Sequence, residues 1–188
     1  MNVRGIRLDV NPYYAGNQCR QLSLIFYYDW SEKMGLDMYL NGSRYISEYS
    51  AAHEKMDKAI NNDVVKTLLP DGVRIERIKV EAAYWRKANA IHRWFVKYIQ
   101  DDFDDCKEYE VERQQLKQLY DTCKEVLEDR SSAEDLLPTQ AGFFYGTTEY
   151  DDWYFEILKE TVEKLEPLID DSPESPWYHW RFTYQSSW

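Results

Sequence analysis

The segment 178–185 carries an aromatic ring at every second position, with polar residues between the rings. Side chains of a β-strand alternate between its two faces, so this pattern predicts a strand with four rings on one face. Residues 77–82 alternate in the same way and predict a second, half-buried strand. A sheet with one apolar face needs a covering layer, so the rest of the chain must supply one.

Helical periodicity supplies that layer. Apolar residues recur at helical spacing over residues 88–99 and 112–128, and the second stripe includes Cys123 as a small core residue. Thr148 and Asp151 are spaced like a capping box, which predicts a helix over residues 149–169 that Pro167 stops or kinks. Residues 50–62 are polar and favour a surface helix with Ser50 as its N-cap.

Two further β predictions complete the expected fold. The pair Asn41-Gly42 lies between short alternating runs, which predicts a tight hairpin, and residues 20–28 are typical of a strand. We therefore expect an α+β fold, in which a small, mostly antiparallel sheet carries three or four helices packed on one face.

Composition limits the class of protein. The 188 residues are 44% hydrophobic and 16% aromatic, enough for a single packed domain, and the formal net charge is −11. This charge argues against a protein that coats nucleic acid by neutralising phosphates. Three cysteines without a CxxC pair favour a reducing compartment, and no apolar stretch approaches the length of a membrane span. We expect a cytoplasmic protein.

Residues 1–33 differ from the remainder of the chain. Residues 30–33 (WSEK) can be encoded by a purine-rich string that resembles a ribosome-binding site just upstream of Met34. We therefore expect residues 1–33 to be an extension that lies upstream of the native start, followed by one globular domain over residues 34–188. Mass spectrometry of the natively expressed protein checks this expectation, because peptides from before Met34 would contradict it.

Four strings in the chain are long and rich in rare residues: residues 34–40 (MGLDMYL), 84–95 (YWRKANAIHRWF), 136–151 (LLPTQ and GFFYGTTEYD around Ala141) and 184–188 (YQSSW). Together they resemble a family of small phage and prophage proteins. The resemblance covers residues 34–188. It implies a phage or prophage context and no particular reaction.

Charge is distributed unevenly along the chain. Residues 73–97 carry seven basic residues against two acidic ones, and they include the predicted junction between a strand and a helix. Helix-terminal amides and cations at such a junction suit an anionic, nucleotide-like ligand, on whose base a Trp ring can stack. The candidate ligand-binding residues are Trp85, Arg86, Lys87, Asn89 and His92, with Gln140 and Tyr150 approaching from elsewhere. The alternative is that Trp85 lies in the core and the cations pair with surplus carboxylates.

A second charged segment is acidic and begins after residue 100. Its carboxylates can mimic the spaced phosphates of nucleic acid and occupy the basic groove of a host or defence protein, although solvated surfaces have the same composition. The candidate acidic partner surface comprises Asp101, Asp102, Asp104 and Asp105.

Signatures of enzymes and metal sites are weak in this sequence. His53, His92 and His179 have no zinc-ligand spacing, the acidic segment lacks the calcium-loop pattern, and we expect no cofactor. A Cys106–His92 nucleophile pair is disfavoured because the acidic neighbours of Cys106 oppose its thiolate. We expect a phage-type accessory protein that binds a host or defence component or an anionic, nucleotide-like ligand. The alternative is a small nucleotide-processing enzyme with His92 as acid or base, and the oligomeric state stays open.

Overall fold

The structure is a computed structural model that describes residues 35–46, 67, 69–70, 73 and 75–188. The extension 1–33, the strand expected over residues 20–28 and the helix expected over residues 50–62 lie outside the described residues. The description below therefore concerns the unit Met34–Trp188 alone.

The described residues form an α+β fold, as the sequence predicts. In chain order the elements are β1 (Asp37–Tyr45), β2 (Arg77–Arg86), α1 (Asn89–Ile99), β3 (Tyr109–Val111), α2 (Arg113–Glu128), α3 (Ala133–Leu136), α4 (Asp152–Leu165) and β4 (Arg181–Ser187). The strands form one antiparallel sheet in the order β2-β1-β4-β3. Alternate residues of β1 and β4 are buried, so one face of the sheet belongs to the core.

The helices lie on this buried face. The ring of Phe95 in α1 stacks on Tyr184 of β4, with their centroids 3.9 Å apart. From α4, the hydroxyl of Thr161 accepts a hydrogen bond of 2.9 Å from the indole of Trp85 in β2. Helix α2 buries Leu116, Leu119, Cys123 and Val126 in the same core. Cys123 is therefore a core residue, as its place on the apolar stripe predicts.

The hairpin expected at Asn41-Gly42 is wrong, because both residues lie inside the continuous strand β1. Gly42 is buried on the helix side of the sheet, where a Cβ would approach the rings of Trp177 and Trp180 to 3.1 and 3.2 Å. The glycine therefore makes room for two indoles rather than a turn. The pairing of β1 with β2 is irregular between Leu40 and Asn41, which indicates a β-bulge.

Two predicted boundaries are also corrected. Tyr178 and Trp180 precede β4 in successive turns, so only Phe182 and Tyr184 of the four alternating rings lie in the strand. Helix α4 begins at Asp152, three residues after the expected start. Its N-cap is Asp151, whose carboxylate accepts from the backbone N–H of Tyr154 at 3.0 Å, so Thr148 is not the cap.

Candidate functional site

The sheet end at which β1 begins and β2 and β4 end is surrounded by irregular loops. We call this region the loop end and define it as Lys87, residues 100–108, residues 139–150 and Trp188. Lys87, Asp101, Asp102 and Cys106 adopt positive φ angles of 51 to 61°, and Gly146 has φ of 90°. Backbone strain in side-chain-bearing residues persists only where surrounding contacts enforce it, and it concentrates at functional sites. Among the described residues, these are the positions with positive φ.

A buried hydrogen-bond network holds the loop end together. The carboxylate of Asp104 accepts from Nε2 of His92 at 3.0 Å and from the hydroxyl of Tyr145 at 2.9 Å, both through Oδ2. The second ring nitrogen of His92, Nδ1, accepts from the hydroxyl of Tyr184 at 2.8 Å. His92 and Tyr184 are fully buried. The network therefore ties the loop after α1 and the loop before α4 to the sheet.

Burial sets the protonation states within this network. It lowers the pKa of His92, although the neighbouring Asp104 acts in the opposite direction. It also raises the pKa of Tyr145 and Tyr184, each with a further contribution from Asp104. At neutral pH, His92 is thus a neutral imidazole that donates to Asp104 and accepts from Tyr184. Both nitrogens of the expected acid or base are occupied within the protein.

Asn89, the first residue of α1, holds the loop 139–150 in place. Its amide nitrogen donates to the backbone carbonyls of Tyr145 at 3.1 Å and Thr147 at 2.7 Å, and its oxygen accepts from the backbone N–H of Gln140 at 3.3 Å. The structure thus brings Asn89 and Gln140 together, through the backbone of Gln140. Tyr150 lies in the same loop, where its hydroxyl accepts from the backbone N–H of Thr139 at 3.3 Å.

Large aromatic side chains rim the loop end. Phe103, Phe143 and Trp188 are 64, 94 and 51% exposed. Phe103 precedes Asp104, Phe143 is two residues from Tyr145, and the ring of Trp188 lies edge-on to Tyr145 with centroids 6.1 Å apart. Each exposed ring therefore lies within two residues of a member of the buried network or is in contact with one. Exposed rings on fixed supports are typical of binding anchors.

The predicted ligand-binding residues are divided between core and surface. Trp85 is 2% exposed and cannot stack on a ligand base, which corrects that expectation. Arg86 is partly exposed with its Nε 4.0 Å from Asp37, and Lys87 is exposed. A crevice lined by Lys87, Asn89 and Trp153 has an internal space of about 10 Å³, which is the size of a single water and too small for a nucleotide.

The predicted acidic surface is likewise divided. Asp101 and Asp102 are exposed, whereas Asp104 belongs to the buried network and Asp105 pairs with Lys107 and accepts from the hydroxyl of Tyr109. Most of the exposed carboxylates lie elsewhere, on α2, α3 and α4 and on the loops that flank these helices. All seventeen Asp and Glu residues between positions 112 and 174 are exposed, against six Lys and Arg residues in that segment.

Sequence reasoning missed the partners of His92. Asp104 is placed by the sequence pattern on the surface, and Tyr145 falls in a Gly-bounded turn without a recognisable motif. No spacing rule connects positions 92, 104, 145 and 184. Burial and Asp104 raise the pKa of the Cys106 thiol, so the structure gives no support for a nucleophilic pair with His92.

Within the part of the chain that the structure describes, no group of three or more His, Cys, Asp or Glu side chains is arranged to hold a metal ion. No helix there is long and apolar enough to cross a membrane.

The fold and the site thus define a small α+β protein whose aromatic-rimmed loop end is fixed by a buried polar network. Comparison with known proteins adds no relative, because no family model, no curated protein and no solved structure matches the chain.

The neutral state of His92 makes stability depend on pH. The unfolded chain protonates this histidine as the pH falls through about 6.5, whereas the folded chain, in which burial lowers the pKa of His92, takes up the proton only at lower pH, so folding loses free energy on acidification. We expect the free energy of unfolding to fall as the pH is lowered from about 7.5 to about 5.5. Urea denaturation at both pH values measures it. The variant His92→Gln should lose this pH dependence, and an unchanged slope would refute the assignment.

Proposed function

We propose that the protein is a phage or prophage accessory protein that acts in the bacterial cytoplasm by binding a host or defence protein through the loop end. The observation that carries the proposal is that Phe103, Phe143 and Trp188 are exposed on supports fixed by the buried network. Anchors held in place before binding lose little conformational entropy on association. The resemblance of residues 34–188 to phage and prophage proteins supplies the biological context.

The same geometry weighs against the enzymatic alternative. A general acid or base must reach the proton that it transfers, and His92 is fully buried with both ring nitrogens hydrogen-bonded. His92 therefore supports a role as a structural connector between α1, the loop end and β4. The exposed rings of Phe103, Phe143 and Trp188, in contrast, are not buried in the core and are accessible to a partner.

The test compares two sets of aromatic substitutions in protein purified from its bacterial host. The test variant is Phe103→Ala/Phe143→Ala/Trp188→Ala, and the control is Tyr45→Ala/Tyr178→Ala, which removes exposed rings outside the loop end. Native mass spectrometry reads the subunit composition of each. We expect a host protein bound in fixed stoichiometry to the wild type and the control, and at least tenfold less of it on the test variant. Equal recovery on both variants would overturn the proposal.

A second candidate is an anionic, nucleotide-like ligand at the start of α1. The crevice there combines the cation Lys87, the ring of Trp153, which is half exposed, and a helix without a side-chain N-cap bond. Against it stand the water-sized space and the carboxylate of Glu149 in the same wall. A retained nucleotide-sized mass in the experiment above, lost in Lys87→Ala and kept in Lys97→Ala, would favour this candidate over a protein partner.

A further inference from the structure

The carboxylate of Asp104 is incompletely satisfied. Oδ2 accepts both hydrogen bonds of this side chain, from His92 and Tyr145, while Oδ1 is buried without a donor. Only 16% of the side chain is exposed. Buried carboxylate oxygens normally find a partner, so an orphaned one requires an explanation.

Asp104 also lacks a countercharge. His92 is neutral because burial lowers its pKa, and the Tyr145 hydroxyl is neutral because burial raises its pKa. Within the described residues, no Lys or Arg nitrogen lies within 4.0 Å of this carboxylate. A largely buried negative charge without a cation costs free energy, which a bound cation would recover.

A second buried acceptor lies in the same turn. Gln100 is 1% exposed, and its Oε1 has no donor although its Nε2 points to the carbonyl of Phe103 at 3.5 Å. Phe103, between these two residues in sequence, carries an exposed ring. The turn thus combines two unused acceptors, one of them anionic, with an aromatic surface.

We infer that Asp104 is the anchor for an arginine side chain presented by the protein partner. A guanidinium is planar, permanently charged and rich in donors, and it stacks on aromatic rings, so it suits this combination better than a compact, strongly hydrated ammonium. The inference rests on the proposed function and specifies the chemistry that the loop end recognises.

The charge of the remaining surface agrees with such a partner. The exposed carboxylates of the helical layer and the exposed Asp101 and Asp102 attract a basic protein over distances of about a Debye length, roughly 8–10 Å. This field favours the encounter, whereas Asp104 and the rings determine what is bound.

The direct test titrates the isotope-labelled chain with N-acetyl-L-arginine methylamide and follows the amide and indole signals by NMR. The citrulline analogue, which has a similar shape without the charge, is the ligand control. We expect saturable shifts at millimolar arginine for residues 100–106 and Trp188, and none with citrulline. Asp104→Asn should weaken binding at least tenfold. Asp102→Asn, which removes a nearby exposed carboxylate at a left-handed position that Asn tolerates, should leave it unchanged.

A second variant guards against an indirect effect of Asp104→Asn on folding. Phe103→Ala removes only an exposed ring and should weaken arginine binding about threefold to tenfold with a native spectrum otherwise. Equal shifts with arginine and citrulline, or unchanged affinity in Asp104→Asn, would overturn the inference.

The outcomes for the inference and for the proposed function are separable. A host protein that depends on the three exposed rings but binds Asp104→Asn normally would overturn the arginine anchor and leave the proposed function intact. Arginine binding without any host protein that depends on those rings would overturn the proposed function and leave Asp104 as a guanidinium-binding site alone.

Discussion

His92→Ala is expected to lower the free energy of unfolding by about 3–5 kcal/mol at pH 7.5, a large part of the roughly 5–15 kcal/mol that stabilises a typical domain. The substitution removes the donor to Asp104 and the acceptor for Tyr184, and it leaves a cavity among buried rings. Urea denaturation measures the loss. His179→Ala, at an exposed histidine, should change stability by less than about 0.5 kcal/mol.

Tyr184→Phe refines the interpretation of the histidine result. It keeps the ring that stacks on Phe95 and removes only the hydroxyl bonded to His92, so it should cost about 1–2 kcal/mol. A stable His92→Ala protein that has lost only its binding partner would contradict this account and restore His92 as a ligand contact.

Trp85→Ala is expected to lower the free energy of unfolding by about 3–5 kcal/mol, because the indole is buried beneath α4 and donates a hydrogen bond to Thr161. Trp153→Ala, at a half-exposed indole of the same helix, should cost less than about 1 kcal/mol. Thermal and urea unfolding of the two variants provide the comparison. Equal stability of both variants would show that Trp85 is not part of the core.

The sequence predicts a helix or strand correctly when the hydrophobic periodicity of that segment reflects a single buried face. The alternation from Arg77 and the helical stripes within residues 88–99 and 112–128 correspond to β2, α1 and α2, because each periodicity records a single buried face. Asn41-Gly42 misleads for the opposite reason. Glycine is needed at position 42 because the rings of Trp177 and Trp180 leave little room for a Cβ. These residues are 135 or more positions away in the chain, so no local sequence rule connects them to Gly42.

The candidate site is even harder to predict from the sequence, because it is formed by residues that are far apart in the chain. The sequence places Asn89 at the basic junction and suggests that Gln140 approaches it from elsewhere, and the two meet through the backbone of Gln140 rather than in a pocket. The central carboxylate, Asp104, could not be separated from its exposed neighbours Asp101 and Asp102, because consecutive acidic residues look alike until the fold buries one of them. The loop end depends on contacts between positions 12 to 92 residues apart.

The strand order has a consequence for synthesis on the ribosome. Strand β4 lies between β1 and β3, so the sheet stays divided until residue 187 has emerged, although α1, α2 and α4 can form earlier. Until then β1 has an unpaired side, and the ring of Phe95 lacks the Tyr184 ring that stacks on it. A nascent chain stalled before position 181 should therefore remain sensitive to protease and dependent on chaperones.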